Sequence, residues 1–162
     1  ALMARGGYTS TSDMTYDPKF AAGYEALATA PSCPLRVSMW EMSVTDTYWE
    51  PTTFTAGEEW LTKTGVKLWT DGSPWVGNIA ISFPYLDTEA TRTIGVVPGS
   101  CGHANYTREQ LAEIVGTFYP QGWQMACHVQ GDNGVDTILD VYEEALRAHP
   151  RDQRQATGLA SG

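Results

Sequence analysis

Residues 123–146 read WQMACHVQGDNGVDTILDVYEEAL: an apolar run, a turn and an amphipathic stretch in immediate succession. The run at 123–129 has the length of one strand and is too short for an ordinary helix. Gly131-Asp132-Asn133-Gly134 is turn chemistry. It leads into a helix whose buried face is predicted at Ile138, Leu139, Val141, Tyr142, Ala145 and Leu146. A strand that turns directly into a helix is one β/α unit, and the rest of the chain is read outward from it.

Upstream, Thr107 and Gln110 form a capping box ahead of a helix with an apolar stripe at Leu111, Ile114, Val115 and Phe118. Residues 75–106 carry Gly77, Pro84, Gly95 and Pro98 without a sustained period, which predicts a long excursion of the kind used for lids and binding loops. Residues 66–69 are a strand running into Thr70-Asp71-Gly72-Ser73-Pro74. Thr55 with Glu58 predicts a capped short helix through Trp60 and Leu61, stopping at Gly65. Residues 35–42 alternate Leu35, Val37 and Met39 as a strand. Residues 7–14, rich in Thr and Ser, form another. After it, Asp17-Pro18 starts a helix with Phe20, Tyr24 and Leu27 on one face, ended by Pro31 and Pro34. Strand followed by helix, four times over, means parallel strands joined by crossover helices. A doubly wound sheet and a (β/α) barrel both fit. No GxGxxG or GxxxxGK[ST] is present, which weighs against nucleotide-binding versions. Residues 151–162, small or polar, read as an irregular tail behind a domain at 1–150.

The formal net charge of −9 and the lack of clustered Lys and Arg argue against a nucleic-acid partner. The 162 residues, 42% hydrophobic and 18% charged, suit one globular domain with a real core. Cys33, Cys101 and Cys127, odd in number and widely spaced, argue against a disulfide framework and for a reducing, cytoplasmic setting. Cys127 reads as a buried small hydrophobe. No apolar stretch approaches the roughly 18 residues needed to span a bilayer. The opening Ala1-Leu2-Met3-Ala4-Arg5, with neither initiator Met nor signal peptide, suggests a segment of something longer.

Two positions stand out for chemistry. Lys67 lies inside an apolar strand, where an ammonium must lose water. One reading has it snorkelling or pairing with Asp71. In the other, burial lowers its pKa and yields a neutral amine that can act as a base or be carbamylated into an anionic metal ligand. His128 sits near the C-terminal end of its strand, where parallel α/β folds build their sites. It is either a hydrogen-bonded core histidine or a neutral imidazole ligand oriented by a second group. Asp132 is close enough to be that group, although a helix-cap role is favoured. Asp71 and Asp13, each read as ending a strand, are candidate substrate contacts, with turn or cap roles the simpler account. His103 is expected to be solvated and His149 to complement a helix dipole. Ser73 lacks a nucleophile elbow. Glu41 and Asp46 show no partner in the sequence.

The stretch Val66-Lys67-Leu68-Trp69-Thr70-Asp71-Gly72-Ser73, with Gly122-Trp123-Gln124-Met125-Ala126-Cys127-His128-Val129-Gln130-Gly131-Asp132, resembles the amidohydrolase 3 (YtcJ-like) family. Phe83-Pro84-Tyr85, Asn105-Tyr106-Thr107 and Ile138-Leu139-Asp140-Val141-Tyr142-Glu143 extend the likeness, and residues 7–14 look like an early barrel strand. It covers roughly residues 1–150. The resemblance implies an α/β fold, a distorted (β/α)8 TIM-type barrel of which about four units are present, corresponding to strands two to five. It also implies a divalent metal, zinc being the expected ion, with Lys67 as a carbamylated ligand and His128 as a second ligand. Metal-activated water would then hydrolyse an amide-like C–N bond of a small-molecule substrate.

The chain departs from the family pattern. It has no His-x-His strand. After Asp152-Gln153-Arg154, Gln155-Ala156-Thr157-Gly158-Leu159 replaces the expected histidine strand, and the last-strand aspartate falls outside the chain. Two ligands are too few to hold a catalytic ion tightly, so this chain alone is expected to be inactive. Open barrel edges are expected to make it self-associate or be poorly stable. A different class of function, a non-catalytic module binding a small ligand or partner through Trp69, Trp75, Phe83 and Tyr85, also fits these residues.

Overall fold

The computed structural model describes residues 2–30, 35–42 and 54–151. Cys33, Pro31, Pro34, Asp46 and the segment from Asp152 onward lie outside the described residues. The elements in order are α1 (Leu2–Arg5), β1 (Ser10–Tyr16), α2 (Ala21–Ala28), β2 (Arg36–Met42), β3 (Leu61–Trp69), α3 (Glu89–Thr93), α4 (Arg108–Phe118), β4 (Gln124–His128) and α5 (Asp132–Ala148). The four strands form one parallel sheet in sequence order. This is the mixed α/β arrangement expected from alternating β/α units, consistent with part of a TIM-type barrel. No helix among the described residues is long and apolar enough to cross a membrane. The chain divides into two compact units, 1–67 and 68–162.

In the first unit, Asp17 accepts from the Lys19 N–H and Pro18 opens a 3-10 turn that leads into α2. The core beneath that helix holds Tyr16, Val37, Met39, Phe54 and Leu61, with Ala21, Tyr24 and Ala28 packed against it. The helix face is therefore rotated from the expected one. Phe20 and Leu27 are exposed, because the small alanines let the helix approach the strands closely while the larger side chains stay outside.

The helix expected through Trp60 and Leu61 does not form. Residues 55–60 are turns, and Leu61 begins a nine-residue β3. The Thr55 hydroxyl donates to the Glu25 carboxylate at 2.8 Å instead of capping a helix. The β-branched Thr62 and Thr64 favour a strand. Gly65 lies within that strand, just after a bulge. Met39 pairs with Lys63 and Trp40 with Gly65, leaving Thr64 without a partner in the β2 register.

That extra residue reverses the alternation of side chains. Leu61 and Lys63 share the face of Val37 and Met39. Beyond the bulge, Val66 pairs with Glu41 on that face, while Lys67 pairs with Met42 on the other. Lys63 and Lys67 are four residues apart and would share a face in a regular strand. Here they do not. Glu41, which shows no partner in the sequence, forms an ion pair with Lys63.

In the second unit, α4 carries the predicted capping box, Thr107 with Gln110, and buries Leu111, Val115 and Phe118. Helix α5 buries Gly134, Ile138 and Val141. Leu139 and Leu146, expected on that face, are exposed. They lie roughly 100° around the helix from Ile138 and Ala145 respectively. The excursion contains only a 3-10 turn at Pro74–Val76 and the short α3. Arg151, expected to open the irregular tail, stacks on the Tyr119 ring at 3.8 Å and donates to the Trp123 carbonyl at 3.1 Å.

Candidate functional site

The first unit ends at Lys67, half-buried on the sheet face opposite the Tyr16–Val37–Met39–Leu61 core. Asp13 lies on the core side. It does not end its strand, because β1 continues to Tyr16 across an irregularity. Its carboxylate takes the Tyr24 hydroxyl and both the N–H and hydroxyl of Thr15, the latter two at 2.9 Å. Burial works against that carboxylate, but the Tyr24 and Thr15 hydrogen bonds outweigh it and hold Asp13 below its ordinary value. Burial, then Asp13 itself, pushes Tyr24 up to about 12. These contacts tie helix α2 to β1, a structural role.

The second unit holds His128, the last residue of β4. Three consecutive residues, Thr70 to Gly72, grip the chain around it. The Thr70 N–H donates to the His128 carbonyl at 3.0 Å, and its hydroxyl donates to the same oxygen. The Gly72 carbonyl lies 2.9 Å from His128 Nε2. Asp71 accepts from the N–H groups of Gln130 at 3.0 Å and Gly131 at 2.7 Å, just beyond the histidine, and of Ala80 at 3.2 Å.

A carbonyl can only accept, so Nε2 must carry the hydrogen that bridges to Gly72. In the neutral imidazole the lone pair then resides on Nδ1. A ring fixed through one nitrogen with the other left basic is the arrangement used by histidine metal ligands. The residue that orients the ring is Gly72, not Asp132. Nor is Asp132 the helix cap: Gly131 is, and Asp132 occupies the first turn of α5. Its carboxylate binds the N–H and hydroxyl of Ser82, and those bonds hold it below its ordinary value. A negative charge there also favours the helix N-terminus.

Asp71 is 1% exposed. Both its oxygens are taken by backbone N–H groups, so it is a structural anchor in this arrangement. The packing around it leaves no room for side chains at two glycines. A Cβ on Gly72 would lie 2.1 Å from Asn78 Oδ1, and one on Gly131 would lie 1.9 Å from the Ala80 carbonyl oxygen. Asn78 also accepts the Ser73 N–H at 2.7 Å. Asn105 reaches from the far end of the excursion, donating through Nδ2 to the Trp69 carbonyl at 2.8 Å. Asn78 escapes a reading by motif, since an amide that bonds to backbone carries no distinctive spacing, and the family-like stretch Asn105-Tyr106-Thr107 gives Asn105 no role.

The Trp69 ring lies 4.7 Å from the imidazole, tilted by 41°, and is 37% exposed. Trp75 and Phe83 are exposed in the excursion, as is His103. Cys127 is half-buried and lies 3.0 Å from the Tyr142 hydroxyl. Burial, and Cys127 beside it, push that phenol up. His149 closes α5, its N–H on the Ala145 carbonyl. Among the described residues no group of three or more His, Cys, Asp or Glu could hold a metal ion. The described residues place an oriented imidazole at His128 and a half-buried strand lysine at Lys67.

The model of the amidohydrolase family matches residues 1–161. Protein LONG AFTER FAR-RED 3 of Arabidopsis thaliana is 33% identical over 97 residues, covering 59% of this chain and 15% of that protein. The crystal structure of an uncharacterized metal-dependent hydrolase from Pyrococcus horikoshii superposes with a TM-score of 0.69 at 26% identity, over 88% of this chain and 28% of the other. One from Pyrococcus furiosus gives 0.67 at 23% identity, over 89% and 29% respectively. The chain thus spans less than a third of the length of each of these relatives.

Proposed function

This chain belongs to the amidohydrolase family, and from that premise we propose that it supplies two ligands, His128 and Lys67, to the divalent-metal centre of a hydrolase acting on amide-like C–N bonds. The observation that carries the reading is His128 Nε2 at 2.9 Å from the Gly72 carbonyl. That bond fixes the ring and leaves Nδ1 basic, as a neutral imidazole ligand requires. The likeness to the Pyrococcus horikoshii metal-dependent hydrolase supports the same class.

When bound, a divalent ion of this kind, zinc being the first candidate, activates water and polarises the scissile carbonyl. The chain's own residues prepare for it. The Thr70–Gly72 segment holds the imidazole, and the bulge at Thr64 turns Lys67 away from the apolar core. Carbamylation by carbon dioxide would convert the Lys67 amine into an anionic oxygen ligand. The Trp69 ring packs against the imidazole at 4.7 Å, tilted by 41°. With only part of a ligand set, this chain is inactive alone and works within the full-length parent.

The test is hydrolysis of a panel of N-acyl compounds by the full-length protein. Removal of metal by a chelator should abolish turnover and a divalent ion restore it, while His128→Ala and Lys67→Ala should each lower it about a hundredfold or more. Turnover that survives both the chelator and the two substitutions would refute the reading.

A further inference from the structure

We propose that Asp71 is a positioning residue for His128. Its buried carboxylate gathers the N–H groups of Ala80, Gln130 and Gly131 and so fixes the Gly72 carbonyl against Nε2, confining the imidazole to the tautomer with its lone pair on Nδ1. The peptide joining Asp71 to Gly72 links the anchored side chain directly to the carbonyl that receives the ring N–H. On the other strand, Gln130 and Gly131 follow the histidine by two and three residues. One carboxylate therefore immobilises both partners of the Nε2 hydrogen bond.

A carboxylate accepting several N–H bonds is a strong, charge-assisted anchor. The Gly72 backbone is confined by Asn78, whose side chain occupies the space a Cβ would need. Its own N–H donates to the Asn78 carbonyl at 3.2 Å. Gly131 meets the Ala80 carbonyl in the same way. With the backbone held by these contacts, the Gly72 oxygen has little freedom to leave Nε2. A merely stabilising Asp71 would strengthen the fold without deciding which ring nitrogen holds the proton. The consequence for metal binding rests on the reading above; the positioning of the ring does not.

The experiment is nitrogen-15 NMR of the full chain, at a pH where all three histidines are neutral. In the wild type, His128 should show one tautomer, with Nε2 protonated and its proton slow to exchange. The exposed His103 and His149 should show averaged ring shifts. In a folded Asp71→Asn chain, His128 should move toward those averaged values and its ring proton should exchange at least tenfold faster. A folded Asp71→Asn chain that is less stable yet keeps the single tautomer and the protected proton would overturn the proposal. Should that variant not fold, the wild type alone decides. The His128 ring proton and the Gln130 and Gly131 amides should exchange through a common opening, at comparable protection. A ring proton exchanging a hundredfold faster than those amides would equally overturn it. If the full-length protein binds no metal while this signature holds, the functional reading fails and the positioning role stands.

Discussion

Lys63 and Glu41 form an ion pair on the core side of the sheet, their side chains 4% and 0% exposed. Neither charge has ready access to water, so each depends on the other to offset its lost hydration. Lys63 pairs with Met39 ahead of the bulge at Thr64, and so shares a face with β2's apolar residues and Glu41. Removing one partner should hurt more than removing both. Lys63→Met should destabilise the first unit by about 3–5 kcal/mol. The double variant Glu41→Leu, Lys63→Met should recover most of that loss. Denaturant unfolding of the four chains of the cycle gives the coupling, and additive losses would contradict a coupled pair.

Glu41 also predicts a pH dependence. Burial raises its carboxyl above the ordinary glutamate value, although the hydrogen bond and charge of Lys63 pull it back. A group raised in the folded state binds more protons there than in the unfolded chain. Its contribution is therefore complete below the ordinary glutamate value and lost as pH rises through the raised one. Glu41→Gln cannot titrate, so wild-type stability minus variant stability should fall with rising pH across that window. Unfolding curves at several pH values check this. A difference that stays flat or grows would refute the assignment.

The Asp13–Tyr24 contact works in the opposite sense. Asp13 is held below its ordinary value, so its stabilisation is present above that value and lost as pH falls through the depressed one. Tyr24→Phe should cost about 1 kcal/mol near neutrality. The difference from wild type should shrink in acid, as measured by urea unfolding. An unchanged difference at low pH would show that Tyr24 acts through packing alone.

These residues show where sequence reading succeeds and where it stops. The β/α order, the strand around Lys67 and the strand end at His128 follow from apolar runs and turn chemistry, which are local properties. The face that Lys67 occupies does not. A bulge changes the parity of everything beyond it, and Leu61 to Trp69 looks like a capped helix followed by a strand until the register is known. The helix faces shifted for a related reason. Phe20, Leu27, Leu139 and Leu146 have the right spacing, but small residues such as Ala21 and Gly134 set how closely the helices approach. Asp71 was legible as a turn residue beside a strand end. That its partners are the backbone N–H groups of Ala80, Gln130 and Gly131 was not, because any non-proline residue could supply them. Backbone recognition erases its own sequence signal.

The proposed metal centre requires His128 to be held ready to give Nδ1 to a cation. The most direct measurement is the divalent-metal content of the purified full-length protein, by elemental analysis, for wild type and His128→Ala. Metal should be bound in the wild type, with an affinity lowered about tenfold or more in the variant. A wild type without divalent metal, or a variant that holds it equally well, would contradict the account.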